Sequence, residues 1–426
     1  MKRNRVDIIS LGCSKNLVDS ERLMSMFRGK GYDVELDAEK PNGEIVVVNT
    51  CGFIGDAKEE SVNMILELAE LKKQHRIGKL YVMGCLSERY RKELAEEIPE
   101  VDAFYGKFDW TNIVEGIEAS WKRELTTPRH YAFVKIAEGC DRRCSYCAIP
   151  LITGQYKSRQ MAEILDEVRW LASEGVKEVL LIAQDLTYYG MDLEHRGLLP
   201  ELVERISEIE GIEWIRLHYA YPTHFPYDLL KVMRDNRKVC KYLDVALQHI
   251  SDNVLDGMHR NITKAETMAF VRRLRNEVPG IGLRTTLMVG FPGETDDDFN
   301  ELMEFVREVK FERMGAFAYC EEEGTYSALH YSDDVAEDEK ERRLSQLMKV
   351  QQEITAELQH AMVGQTIRVL IDREEGEWMV GRTEWDSVEV DCEVFVKREI
   401  DMKVGEFYNV LITESNEFDV TGIRNK

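Results

Sequence analysis

Gly139-Cys140-Asp141-Arg142-Arg143-Cys144-Ser145-Tyr146-Cys147 gathers three thiols, with three and then two residues between them, so that all can curl around one metal centre. A closed structural zinc site takes four ligands. No fourth Cys or His follows at a usual spacing, and the nearest histidine, His130, lies ten residues upstream. Cys140, Cys144 and Cys147 therefore favour an iron–sulfur cluster with one open iron, with zinc as the lesser alternative. The surrounding text alternates apolar strands with amphipathic helices. The strands read Ala132–Ile136, Glu178–Ile182, Trp214–Leu217, Leu243–Leu247, Leu283–Val289 and Met314–Ala318. Six βα units predict an open, partial barrel, whose site gathers at the carboxyl ends of the strands. Polar residues stand just beyond those ends: Gln184, Asp185, His218, Gln248, His249, Glu294 and Tyr319. Gln184, Asp185, Arg159 and Glu294 are candidates for a cofactor wall. His218 and His249 suit hydrogen-bonded core positions better, and Gly290-Phe291-Pro292-Gly293-Glu294 also reads as an ordinary strand-to-helix turn.

Upstream, Val6–Leu11, Ile45–Val48 and Lys79–Met83 have the length and β-branched content of buried parallel strands, each leading into a helical pattern. This predicts a doubly wound α/β domain. A cysteine follows every one of these strands, at Cys13, Cys51 and Cys85. In a parallel sheet the carboxyl ends share one edge, so three thiols distant in sequence meet at one pole. Small apolar Cys often just packs at strand ends, but three repetitions favour a second three-thiolate iron–sulfur site. A helix N-terminus after each cysteine is expected to lower its thiol pKa. Cys240, Cys320 and Cys392 stand alone and read as buried structural thiols.

The chain has 426 residues, enough for two or three domains, with 56 Lys/Arg against 79 Asp/Glu and a net charge of -23. Such acidity disfavours a sequence-independent nucleic-acid binder and suits a basic protein partner. No apolar run approaches the roughly 20 residues of a membrane span, and the apolar stretch after the basic N-terminus is too short for a signal peptide. A cytoplasmic location with reduced thiols is expected. From Gln365 the text changes to short alternating strands, Thr366–Ile371, Glu377–Arg382, Ser387–Val390 and Tyr408–Ile412, which predict a small antiparallel β-barrel. Residues 359–426 carry eight Lys/Arg and fifteen Asp/Glu, a poor match for phosphate.

Cys-x3-Cys-x2-Cys with an aromatic before the last cysteine resembles the signature of radical S-adenosylmethionine enzymes, and the terminal barrel resembles a TRAM domain. With the three-cysteine N-terminal domain, essentially the whole chain resembles the methylthiotransferases of that superfamily. Ser10-Leu11-Gly12-Cys13-Ser14-Lys15-Asn16-Leu17-Val18-Asp19-Ser20-Glu21, Asn49-Thr50-Cys51-Gly52-Phe53-Ile54 and Tyr242–Ser251 look like the branch called RimO. Ser14 and Tyr326 depart from it, at positions where Pro is common.

The resemblance implies three domains: 1–122 holding an auxiliary cluster, 123–358 as the radical S-adenosylmethionine core, and 359–426 as the TRAM-like barrel. It implies two 4Fe-4S clusters, on Cys13/Cys51/Cys85 and on Cys140/Cys144/Cys147, the latter binding S-adenosyl-L-methionine, with a low-potential electron donor. The implied reaction methylthiolates the β-carbon of an aspartate in small-subunit ribosomal protein twelve. Its hydrogen cannot be removed by a side-chain base near neutral pH, hence the radical. The alternatives are a tRNA adenosine methylthiotransferase and, from another class, an iron–sulfur carrier. A carrier leaves the barrel without purpose, and nucleic acid is not the expected substrate.

Overall fold

The computed structural model describes residues 1–116 and 121–425. The N-terminal sheet holds β1 (Lys2–Ser10), β2 (Asp33–Leu36), β3 (Gly43–Thr50), β4 (Lys79–Gly84) and β5 (Ala103–Phe104), in the order β2-β1-β3-β4-β5 and parallel throughout. The Val46-Val47-Val48 run of β3 is wholly buried because both faces are covered. Val47 meets Leu23, Met24 and Phe27 of the helix Ser14–Gly29. Val46 and Val48 meet Ile65, Leu68 and Ala69 of the helix Gly55–Lys73. Strand order reverses between β1 and β3, which opens a crevice at their carboxyl ends.

The second sheet carries the six expected strands. They are β6 (Tyr131–Lys135), then, after the short antiparallel ribbon β7 (Ala137–Glu138) and β8 (Lys157–Ser158), β9 (Glu178–Ile182), β10 (Trp214–Ala220), β11 (Val239–Gln248), β12 (Gly282–Val289) and β13 (Arg313–Ala318). The order β13-β12-β11-β10-β9-β6 is parallel throughout, and the sheet stays open because β13 and β6 do not pair. Alternation decides its two faces. Ile215, Leu217, Leu243, Val245, Leu283 and Leu287 pack against the outer helices. The opposite parity carries Arg216, His218, Tyr242, Asp244 and Arg284, a polar lining that needs partners.

Those partners come from the C-terminal barrel. Its strands are β14 (Thr366–Glu375), β15 (Trp378–Arg382), β16 (Val394–Lys397), β17 (Phe407–Ser415) and β18 (Val420–Arg424), closed in the order β14-β15-β16-β18-β17. All pairings are antiparallel except β16 with β18. Here the structure departs from the sequence expectation: Ser387–Val390 is not a strand, and of the carboxylates around it Asp386 and Asp391 turn inward while Glu389 is exposed. The segment is a loop held against the lining of the open barrel. Asp386 pairs with Arg313, Asp391 accepts from the Tyr242 hydroxyl at 2.9 Å and from Arg284 at 3.2 Å, and Ser387 meets His218 at 3.1 Å. Glu178, fully buried, binds Arg216 at 2.7 Å and Arg382 at 2.6 Å. The alternation that reads as a strand in sequence yields here because Arg284 and Arg313 recruit the carboxylates. β16 and β18 were not expected. Cys240 is buried as expected, but Cys320 is exposed and Cys392 only half-buried.

Among the described residues, replacing Glu178 by Gln removes the only carboxylate paired with Arg216, which keeps backbone carbonyls. It also removes one of the two paired with Arg382, which keeps Asp372, so a loss of about 3 kcal/mol is expected in denaturant unfolding. An unchanged midpoint would show that this network does not hold the barrel in place.

Candidate active site

The N-terminal thiols sit where the chain leaves the sheet. Cys13 precedes the helix Ser14–Gly29, Cys51 directly follows β3, and Cys85 opens the helix Cys85–Glu97. Two glycines make room for the approach. A Cβ on Gly12 (φ +94°) would lie 3.0 Å from Cys51 Cβ, and one on Gly84 (φ +100°) would lie 2.4 Å from Asn49 Oδ1. Asn16 ties the three strand ends together. Its Nδ2 donates to the carbonyls of Leu11 at 2.9 Å and Thr50 at 3.1 Å, and its Oδ1 accepts from Cys85 Sγ at 3.8 Å. Burial opposes ionisation of Cys13, but Lys15, the Asn16 N–H and Lys107 bring its thiol below the ordinary value. The other two depart from the sequence expectation: burial raises Cys51, and pushes Cys85 up to about 12 despite Lys107.

The second trio lies between β7 and the helix Ile149–Thr153. Gly139 (φ +83°) packs so closely that a Cβ would meet Gln155 O at 2.1 Å. Ser145 clamps the loop: its N–H donates to Met258 O at 3.0 Å, its hydroxyl to Gly257 O at 2.7 Å, and its carbonyl accepts from Ser327 N–H at 2.8 Å. Arg260 donates to Cys144 Sγ at 3.2 Å and lies 4.1 Å over the Tyr221 ring. Arg142 lies 4.2 Å over the same ring and donates to Asp185 at 2.8 Å. Burial pushes the Cys140 thiol up to about 12 and Cys147 well above its ordinary value.

The elements that carry the two trios meet. The helix Cys85–Glu97 packs on the helix Ile149–Thr153. Buried Asp19 binds Lys107 from the N-terminal domain at 2.6 Å, and Lys135 from β6. Among the described residues, no three His, Cys, Asp or Glu side chains converge closely enough for a single metal ion.

Of the suggested wall residues, Gln184 donates to Glu138 at 2.7 Å while its buried Oε1 has no partner. Arg159 binds Glu167 at 2.6 Å and Lys135 O at 2.7 Å, leaving its buried Nη2 without one. Asp185 is taken up by Arg142 and by the N–H of Thr187. Glu294 braces its own turn, accepting from Gly290 and Phe291 N–H and pairing with Arg343, and burial raises its carboxyl to about 7. His218 and His249 are core groups, as expected. Sequence reading missed Asn16, Lys15, Tyr219, Tyr221, Arg142 and Arg260. Lys15 and Asn16, on the helix that Cys13 precedes, and Arg142, within the Cys140–Cys147 motif, carried a local signal.

No described helix is long and apolar enough to cross a membrane. Residues 134–306 match the Radical SAM superfamily, residues 5–106 the Uncharacterized protein family UPF0004, and residues 363–424 the TRAM domain family. The chain is 60% identical to "Ribosomal protein uS12 methylthiotransferase RimO" of Parabacteroides distasonis, covering 99% of each chain. To the proteins of that name from Bacteroides fragilis and Porphyromonas gingivalis it is 61% and 58% identical, again covering 99% of each. Among solved structures, the radical S-adenosylmethionine methyltransferase TsrM of Kitasatospora setae superposes with a TM-score of 0.54 at 15% identity, covering 89% of this chain and 81% of that one. That likeness concerns the fold.

His249 offers a pH test. Burial pushes its pKa down to about 3, so it is neutral in the fold, whereas an unfolded histidine titrates near 6.5. Its contribution to stability is present above that value and is lost as pH falls toward the folded pKa. Between pH 7 and 5 the native chain should lose about 2 kcal/mol more than the His249→Gln variant. Parallel losses in denaturant titrations at the two pH values would contradict this.

Proposed function

Because the chain belongs to the RimO family of ribosomal protein uS12 methylthiotransferases, we propose that Cys140, Cys144 and Cys147 hold the cluster that engages S-adenosylmethionine, and Cys13, Cys51 and Cys85 the auxiliary cluster. The reaction is methylthiolation of the β-carbon of an aspartate in small-subunit ribosomal protein twelve, with two 4Fe-4S clusters, S-adenosylmethionine and a low-potential electron donor. We assign the auxiliary cluster to residues 1–122, the radical chemistry to 123–358 and the barrel to 359–426. The reducing conditions that free thiols need support a cytoplasmic location. When bound, these groups supply an open iron, a transferable sulfur and a one-electron route to an unactivated C–H bond.

The observation that supports this reading is two sets of three free thiols near strand ends of two parallel sheets whose flanking helices pack together. Their donor set suits clusters: among the described residues, each offers three thiols and no fourth ligand of its own. Arg260 withdraws charge from Cys144 and, with Ser145, fixes the loop. Gln184 Oε1 and Arg159 Nη2, buried and unpartnered, are an acceptor and a donor for the ammonium and carboxylate of S-adenosylmethionine. Asp185 and Glu294, occupied elsewhere, act by supporting Arg142 and the Gly290 turn. The acidic chain suits a basic ribosomal protein, whereas the tRNA alternative would need phosphate contacts that a net charge of -23 disfavours.

Anaerobic incubation of reconstituted enzyme with ribosomal protein twelve, and separately with tRNA, tests the reading. The protein should gain the mass of one methylthio group in place of one hydrogen, and the tRNA should not. The reverse result would establish the tRNA reading. The ligand assignment has its own check. Changing Cys13, Cys51 and Cys85 to Ala should remove about half the iron and sulfide and abolish methylthiolation, while 5′-deoxyadenosine still forms. Changing Cys140, Cys144 and Cys147 should remove the other half and stop 5′-deoxyadenosine formation. Iron that stays whole in either variant contradicts the assignment.

A further inference from the structure

Lys15 reaches across to the open barrel without a direct ionic partner among the described residues. The residue is half-buried in the first turn of the helix Ser14–Gly29, two positions after Cys13, and its ammonium lies 3.8 Å over the ring of Tyr219 on β10. Among the described residues it makes no hydrogen bond and no ion pair.

The nearby carboxylates are spoken for. Asp19 gives one oxygen to Lys107 and the other to Lys135. Glu138 gives one to Lys135 at 2.8 Å and the other to Gln184 at 2.7 Å. Three ammonium groups thus share two carboxylates. A cation in the first turn of a helix also faces the positive end of the helix dipole, and this first turn carries no acidic residue to offset it. Lys15 is attracted at a distance by Tyr219, Cys13 and Glu138, but no carboxylate reaches it directly, which leaves its ammonium able to pair with a bound anion.

Tyr219 points the same way. It is a bulky residue with φ +67°, a left-handed conformation that is strained away from glycine. That conformation lies near the end of β10, where the ring forms a platform under an ammonium from the other domain. Strain of this kind persists where the surroundings enforce it, and such places cluster at binding sites.

Resting on the function proposed above, we propose that the Lys15 ammonium, seated on Tyr219, binds the side-chain carboxylate of the substrate aspartate. The carboxylate carbon is bonded directly to the β-carbon that reacts. Anchoring it beside Cys13 therefore holds that carbon close to the N-terminal trio, and selects aspartate over neutral side chains of the same shape. Lys15 is then a specificity-determining residue, with Tyr219 positioning it.

The test uses reconstituted holoenzyme, native and with Lys15→Met or Lys15→Arg. Its probes are ribosomal protein twelve and the same protein with its target aspartate changed to asparagine. Native enzyme should bind the aspartate form about 10- to 100-fold more tightly, as for loss of one charge-assisted pair. Lys15→Met should bring the aspartate form down to the affinity of the asparagine form without changing the latter, and Lys15→Arg should restore part of the preference. Iron and sulfide contents should match in all three proteins. A preference that survives Lys15→Met overturns the assignment. So does loss of iron from Lys15→Met, which would make Lys15 a cluster-supporting group instead. If native enzyme bound neither protein but bound tRNA, the proposed function would fail and this assignment with it. Binding of both proteins without preference would overturn the Lys15 assignment alone.

Discussion

Asp19 stands between two lysines from different sheets, and the mutual position of the two thiol trios follows from that arrangement. Its carboxylate is buried, and burial opposes its charge, but Lys107 and Lys135 hold it well below the usual carboxylate range. A buried charge met from two sides tolerates little displacement, because moving either lysine leaves it uncompensated. Lys107 follows the last strand of the N-terminal sheet, and Lys135 ends the first strand of the open barrel. Glu21 on the same helix reinforces the joint by accepting from Arg123 at 2.7 Å. Two parallel sheets, each with its thiols at the carboxyl edge, are thereby kept edge to edge.

The far end of the barrel obeys the same rule with opposite sign. There the strands present arginines, and the C-terminal barrel brings carboxylates to them: Asp386 to Arg313 and Asp391 to Arg284. The acidic character of the terminal domain thus serves an internal surface as well as the outer field of the chain. Its closed sheet anchors the loop, and the loop fills the mouth that six strands leave open.

Much of this was legible in the sequence because it is local. Apolar runs between helical patterns gave β1, β3, β4 and all six strands of the open barrel, and both thiol trios stood out by spacing and by strand-end placement. What was not legible depends on partners distant in the chain. Arg260 reaches Cys144 across 116 positions, and Lys15 finds Tyr219 only once both domains fold. Ser387–Val390 alternates like a strand but yields to arginines far upstream. The expected lowering of three thiol pKa values held only at Cys13, where Lys15 and Lys107 outweigh burial. Cys320, expected in a core, is exposed, although its sulfur would lie only 3.7 Å from a Cβ on Gly55 of the other domain.

If the Asp19 joint holds both trios in one chamber, their clusters lie close enough to couple magnetically. Electron paramagnetic resonance of the reduced holoenzyme tests it most directly. Each cluster's signal should be broadened or split by the other, and should sharpen when the opposing cysteine trio is replaced by Ala. A native spectrum equal to the plain sum of the two single-cluster spectra would contradict the account.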